Sequence, residues 1–387
     1  MVDYLSRNPK KKLIINSTLD AKLTPYGSPI IWTESEKIYF RSRRENTYNT
    51  FSTNIKGTNP MDIDNSIKDR MTIAVAIPSF RDPELCNTIR DCFAKAAYPE
   101  RVKIYVVEQN GENDAFDCHA RNSGIPPFHL VYKTLHWKDA KGPTWARHLL
   151  NGMIKDEDFI MGLDSHIRFE PAWDVFHIDE IYKTKRPNHT VLSLYPSGFE
   201  RIATPDGRLF YKIGARKEYR TSELDKFDNE GNLTFITHSR SWKQFEPRYA
   251  PMIAAGYYFV HSNFKNIVPW SPKTPHLFFG EEMLLSARAF THGFDIMVPS
   301  QCYIYHEWSR GYRVNFAANE PERQKSLIYL KGILNQTIQD DEFGLGNKRS
   351  LQDYWRFIGV DYAKKEIVNK TNPFTVPNGW KTIPHDH

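Results

Sequence analysis

Residues 71–109, MTIAVAIPSFRDPELCNTIRDCFAKAAYPERVKIYVVEQ, decide the fold. Residues 72–78 form a β-branched apolar run closed by Pro78, which predicts a buried strand. After Asp82-Pro83, the apolar positions Leu85, Ile89, Phe93 and Ala97 recur at helical spacing, and Pro83 suits a first helical turn. Residues 101–109 read as a second strand. Strand, helix and strand within roughly 40 residues make a βαβ unit with a right-handed crossover.

The alternation continues downstream. A third strand is predicted at 128–132, a helix at 144–154, and another buried strand at 158–163 that ends at Asp164. This pattern predicts an α/β protein with a doubly wound, mostly parallel sheet flanked by helices. Ligands of such sheets bind at the carboxyl ends of the strands, where Ser79-Phe80-Arg81-Asp82 and Asp164-Ser165-His166 fall. Residues 187–250 read as loop-rich, with turn signals at Pro205-Asp206-Gly207 and Asn229-Glu230-Gly231. A strand at 252–260, a helix opening at Gly280-Glu281-Glu282 and a strand at 295–298 come next. The last leads to Tyr305-His306-Glu307, and helices at 321–335 and 351–357 follow.

Composition sets the class. Of 387 residues, 40% are hydrophobic and 25% charged, which is globular usage and excludes a disordered chain. The longest apolar runs, 73–77 and 253–260, fall far short of the ~20 residues of a membrane span. The opening Met-Val-Asp-Tyr-Leu-Ser-Arg lacks the apolar stretch of a secretory signal, so a soluble, cytoplasmic protein is expected. Cys86, Cys92, Cys118 and Cys302 form neither a disulfide framework nor a CxxC zinc pattern, and are expected as reduced thiols.

The chain divides unevenly. Residues 1–70 are an extension with 12 Lys or Arg against 8 Asp or Glu, including clusters at 10–12 and 41–44. Its apolar patches at 13–15 and 30–32 could dock on the main body as strands. Residues 71–362 are expected to form the main domain, and 363–387 a tail.

Asp164-Ser165-His166 carries the chemistry. A carboxylate at a strand end, with an imidazole two positions on, places oxygen and nitrogen ligands on one side of a short turn. That pair suits Mn²⁺ (or Mg²⁺) bridging two phosphates, as the Asp-x-Asp triplet of nucleotide-sugar transferases does. His306, at the end of a predicted strand, could complete the set. Glu281 and Glu282 offer a carboxylate pair at a helix start.

Several motifs occur together in one order: Ser79-Phe80-Arg81-Asp82-Pro83, Gly142-Pro143-Thr144-Trp145-Ala146-Arg147, Asp164-Ser165-His166 and Phe279-Gly280-Glu281-Glu282. Residues 289–295, Tyr305-His306 and residues 349–354 follow. Together, across 71–362, they resemble the GlcNAc-transferase family typified by the soluble enzyme that glycosylates hydroxyproline on a ubiquitin-ligase adaptor. The resemblance implies a GT-A-type fold, a UDP-GlcNAc-like donor, a divalent cation and transfer with retention of configuration. It implies metal ligation by Asp164, His166 and His306, with Ser79 and Arg81 facing the nucleotide and Arg147 the diphosphate. It puts Glu281 or Glu282 near the acceptor hydroxyl, as the catalytic candidates. Thr144 departs from the small residue or Cys usual in the family.

The implied acceptor is a hydroxyl of a protein. The basic extension and abundant aromatics leave a second acceptor open, hydroxymethylated bases of DNA. A sugar-nucleotide-binding module without catalysis is the third reading, disfavoured by the intact acidic and histidine positions.

Overall fold

The computed structural model describes residues 68, 70–111, 118–203, 209–213, 219–240, 246–309 and 311–368. The apolar patches at 13–15 and 30–32, the basic clusters and the turn signal at 205–207 lie outside the described residues, as does the tail from 369.

The first half runs β1 (Ile73–Phe80), α1 (Leu85–Lys95), β2 (Val102–Asn110), β3 (Leu130–His136), α2 (Pro143–Met153), β4 (Phe159–Leu163), β5 (Ile167–Phe169), α3 (Trp173–Tyr182) and β6 (Thr190–Ser193). The next stretch holds β7 (Ser197–Ala203), β8 (Leu209–Ile213), β9 (Tyr219–Phe227), β10 (Leu233–Arg240), β11 (Arg248–Tyr249) and β12 (Tyr257–His261). Then come α4 (Phe264–Ile267), α5 (Glu281–Thr291), β13 (Asp295–Val298), β14 (Ile304–His306), α6 (Glu320–Leu334), α7 (Leu351–Ile358), β15 (Val360–Asp361) and β16 (Glu366–Ile367).

Eight strands form the central sheet, in the order β11-β13-β6-β12-β4-β1-β2-β3. The run β4-β1-β2-β3 is parallel, as is β13 with β6, while β12 lies antiparallel between β4 and β6. Leu85, Ile89 and Cys92 bury one face of α1 against this sheet, and Ala146 and Leu150 do the same for α2. A second core, with Met283, Phe290, Leu330, Tyr354 and Phe357, joins α5, α6 and α7. Side-chain caps set two helix starts: Asn319 accepts from the Glu322 amide and Ser350 from the Asp353 amide. A smaller sheet, β5-β14-β7-β8, hangs beside the main one.

The structure corrects three sequence expectations. First, β1 passes through Pro78 to Phe80. Its pairing with β4 stops at Ala76, so beyond that point β1 is hydrogen-bonded only to β2 and tolerates a residue without an N–H. Second, residues 187–250 are rich in strands. β9 and β10 pair as a hairpin around the turn at Asp228–Asn232, where Gly231 takes a left-handed φ of 79°. The strand expected at 252–260 shrinks to β12, because the amides of Ile253, Ala254 and Ala255 are held by the side chains of Ser286, Ser193 and Glu282. Third, Cys86 and Cys118 are joined as a disulfide with Cα atoms 6.2 Å apart, leaving Cys92 and Cys302 as thiols. No helix among the described residues is long and apolar enough to cross a membrane.

Candidate active site

The centre forms where two sheets and two helix starts converge. Asp164 follows β4, and its amide donates to the Gly256 carbonyl at 3.1 Å. Three residues later the chain enters β5, which pairs with β14 so that Ile167 faces His306. The Glu307 amide donates to the His166 carbonyl at 3.0 Å. Strand pairing therefore brings together two histidines separated by 140 positions of sequence.

One ligand-capable atom from each of Asp164, His166 and His306 lies within 4.8 Å of the others. His306 Nε2 is 3.3 Å from Asp164 Oδ2, and His166 Nε2 is 4.0 Å from the same oxygen. Asp82 accepts the other nitrogen of His166, with Oδ2 2.7 Å from Nδ1, and also accepts Ser165 Oγ at 2.8 Å. Nδ1 is thereby committed to Asp82, which leaves Nε2 as the nitrogen the ring can offer to a metal. Nε2 of His166 is buried with no hydrogen-bond partner among the described residues. Burial, together with the neighbouring His166, pushes the His306 imidazole down to about 4, so it is neutral at ordinary pH. Although its partly covered position pushes the Asp164 carboxyl up, the His306 hydrogen bond and the Arg147 charge hold it well below the usual range. One carboxylate and two imidazole nitrogens fit a divalent cation of the Mn²⁺ type.

Arg147 bridges the centre to α5. Thr144 and Arg147 are three apart in the first turns of α2 and share a face. Thr144 Oγ1 donates to Glu281 Oε2 at 2.6 Å, and Arg147 Nη1 reaches both Glu281 oxygens at 3.2 Å. Arg147 Nη2 donates to Asp164 Oδ1 at 3.1 Å, and the guanidinium stacks 5.1 Å from the Trp270 ring centroid. Glu282 accepts from the Tyr195 hydroxyl at 2.5 Å and from the Ala255 amide at 2.8 Å. Burial pushes the Glu282 carboxyl up to about 7. Both glutamates, expected beside an acceptor hydroxyl, are thus engaged by protein groups.

Ser79 Oγ, Gln109 Oε1 and Asn110 Oδ1 are buried at the ends of β1 and β2 without hydrogen-bond partners among the described residues. Arg81 has a left-handed φ of 46° and lies 5.1 Å over the Trp137 ring. The structure therefore links Asp164, His166, His306, Arg147 and Glu281, with Glu282 beside Glu281 in the first turn of α5 and Ser79 and Arg81 along the neighbouring strand ends. Sequence reasoning missed the roles of Asp82, Tyr195 and Arg313. The Arg313 charge acts on both Asp82 and His306, and its Nε is buried without a partner among the described residues. Asp82 was within reach of inspection, since it closes the Ser79–Asp82 strand end; Tyr195 and Arg313 carry no local signal.

A doubly wound sheet with a metal-capable triad at its carboxyl edge is the frame of a GT-A glycosyltransferase. The profile of the family described as Glycosyltransferase (GlcNAc) matches residues 72–127 and 121–364, and the chain belongs to that family. It is a glycosyltransferase. Among solved structures, GalNAc-T7 with UDP, GalNAc and Mn²⁺ aligns at TM-score 0.52 and 12% identity, over 92% of this chain and 70% of that one. A TarS fragment from S. aureus in complex with UDP-GlcNAc aligns at TM-score 0.45 and 13% identity, over 80% and 75% of the two chains. A comparison with the curated proteins finds no match.

Proposed function

We propose that this chain transfers a sugar, GlcNAc or a close relative, from a UDP-linked donor to a hydroxyl of a protein, with retention of configuration. One observation carries the reading: His166 Nε2 is buried beside Asp164 and His306 with no hydrogen-bond partner among the described residues, and its opposite nitrogen is tied to Asp82. The family match and the UDP complex of GalNAc-T7 support the donor class.

Breaking the sugar–phosphate bond leaves negative charge on the diphosphate. Asp164, His166 and His306 would hold a divalent cation, which supplies Lewis-acid stabilisation of that charge when bound. Asp82 keeps His166 Nε2 as the ligating nitrogen. Arg147 fixes Asp164 and adds positive potential beside it, while Glu281 and Thr144 hold Arg147 in place. Arg313 supplies a second positive charge close to Asp82 and His306. Ser79, with Gln109 and Asn110, offers unpaired polar groups to the base and ribose, and Arg81 lies at the same edge. Glu282 holds Tyr195 on the acceptor side. In a retaining transfer the departing phosphate oxygen takes the proton of the incoming hydroxyl on the same face of the sugar, so no side chain is assigned as base.

The test is nucleotide release from UDP-GlcNAc, UDP-GalNAc and UDP-glucose with Mn²⁺, with EDTA, and in Asp164→Ala and His166→Ala. Release that needs Mn²⁺ and is lost in both variants supports the assignment. Full release in EDTA would remove the metal from it, and no release with any donor would remove the donor class. Proton NMR of the product anomer decides retention.

A further inference from the structure

Both ends of the Cys86–Cys118 disulfide adjoin residues of the centre. Cys86 is the second residue of α1, a helix whose Thr88 hydroxyl donates to the Ser165 carbonyl at 2.7 Å. At the other end, the Cys118 carbonyl accepts from Asn110 Nδ2 at 2.9 Å. A carboxamide whose nitrogen is committed has only its oxygen to offer. Asn110 Oδ1 is buried with no hydrogen-bond partner among the described residues. The disulfide therefore fixes the carbonyl that decides which end of the Asn110 carboxamide is presented at the close of β2.

The residues after Cys118 have anchors of their own. Glu108, fully buried, accepts the Ala120 amide at 2.5 Å and lies 3.1 Å from His119 Nδ1. Arg90 Nε donates to the Ser123 carbonyl at 2.8 Å. Leu85 and Ile89 seat α1 in the core. None of these contacts needs the bond between the cysteines, so opening it frees Cys118 and leaves its surroundings in place. The reduced form is also provided for. Cys86 Sγ lies 3.3 Å from the His119 carbonyl, an acceptor for the thiol that reduction creates. Gln109 supplies the contrast, because its Nε2 donates to the Ser79 carbonyl of β1 at 3.1 Å and owes nothing to the disulfide.

Resting on the transferase reading above, we infer that Asn110 Oδ1 accepts an N–H or O–H of the donor's nucleoside, and that the Cys86–Cys118 bond sets this contact. Donor affinity then responds to thiols. A dithiol attacks the sulfur of Cys118, the more exposed of the two cysteines, and forms a mixed disulfide with it. Cys86 leaves as a thiolate and takes a proton. The second thiol of the reductant closes on the first, and Cys118 leaves in the same way. Two electrons and two protons pass to the cysteines, and the reductant ends as a cyclic disulfide.

The test uses the full chain, oxidised or else reduced with dithiothreitol and desalted under nitrogen. Thiol titration in denaturant should count two thiols before reduction and four after it. By calorimetry with saturating Mn²⁺, reduction should raise the UDP Kd roughly fivefold, the scale of one hydrogen bond. Mn²⁺ affinity should change less than about twofold, since Asp82 and Thr88 stay in place. Cys86→Ala combined with Cys118→Ala should bind UDP like the reduced protein and ignore the dithiol. Asn110→Ala should bind as weakly in either state, whereas Gln109→Ala should keep the fivefold response. Equal UDP Kd in the two states would leave the transferase reading standing and overturn the inference, as would an Asn110→Ala protein that still responds. Loss of the cooperative melting transition on reduction would make the bond a staple of the fold and overturn it too. If neither state binds UDP with Mn²⁺, the transferase reading itself has failed, and this inference falls with it.

Discussion

Asp82 touches no expected ligand atom of the centre, yet it decides which nitrogen His166 can offer. Its 2.7 Å contact with Nδ1 combines orientation, tautomer choice and added basicity at Nε2. Asp82→Asn keeps the shape and removes the charge, so Mn²⁺ affinity should fall roughly tenfold, the low end for such outer contacts. Loss of the free-ion electron-spin signal on titration measures it, and wild-type affinity would show that Asp82 is only a structural acceptor. Arg147 and Glu281 make a similar pair. Both are buried, so Arg147→Ala strands a carboxylate and should cost about 3 kcal/mol of stability besides lowering turnover. Arg147→Met with Glu281→Gln should regain most of that stability in denaturant titrations without regaining turnover. Recovery of both would mean that Arg147 serves the fold alone. Glu282 gives a pH signature. Its carboxyl is raised from 4.5 to about 7 by burial, so the contribution is present in full below pH 4.5 and is lost as pH rises through 7. Glu282→Gln should therefore have a higher Tm than wild type at pH 8 and a similar one at pH 4.5. Parallel Tm curves across that window would contradict the shift.

At the scale of elements, β12 shows how tightly the centre is framed. The turn before it places Gly256 so near the Asp164 carboxylate that an added Cβ would lie 2.7 Å from Oδ2. Gly256→Ala should displace Asp164 and weaken Mn²⁺ binding several-fold, whereas Gly152→Ala, where a Cβ meets nothing, should not. Equal Mn²⁺ titrations for the two variants would refute the packing argument. Elements explain what could be read in advance. The βαβ start at 71–109 was legible because its apolar residues repeat at the strand and helix periods, and Asp164 fell at a strand end by the same logic. The hairpin β9–β10 was not, since YRTSELDKF has few apolar residues and lies outside the main sheet. Residue type alone could suggest that His166 meets His306. No local pattern foretells it, because the meeting depends on β14 choosing β5 as partner. The Cys86–Cys118 bond was invisible for the same reason, joining α1 to the segment after β2 across 32 positions.

For the molecule as a whole, Ser79, Gln109, Asn110, His166 and His306 each keep a buried polar atom with no hydrogen-bond partner among the described residues, and Arg313 acts on the same centre. Each desolvated group weakens the folded chain until something bonds to it. A molecule that binds the folded form and not the unfolded one then acts as a folding agent, adding about 2.7 kcal/mol at a hundred times its Kd. Melting temperature thus becomes a meter of recognition that needs no turnover and no acceptor. In a panel of nucleoside diphosphates with Mn²⁺, the matched base should lift Tm by roughly 3 °C or more while the others leave it flat. An equal rise with every base would mean that the diphosphate alone is felt, and that the carboxamide oxygens of Gln109 and Asn110 at the end of β2 do not choose among bases.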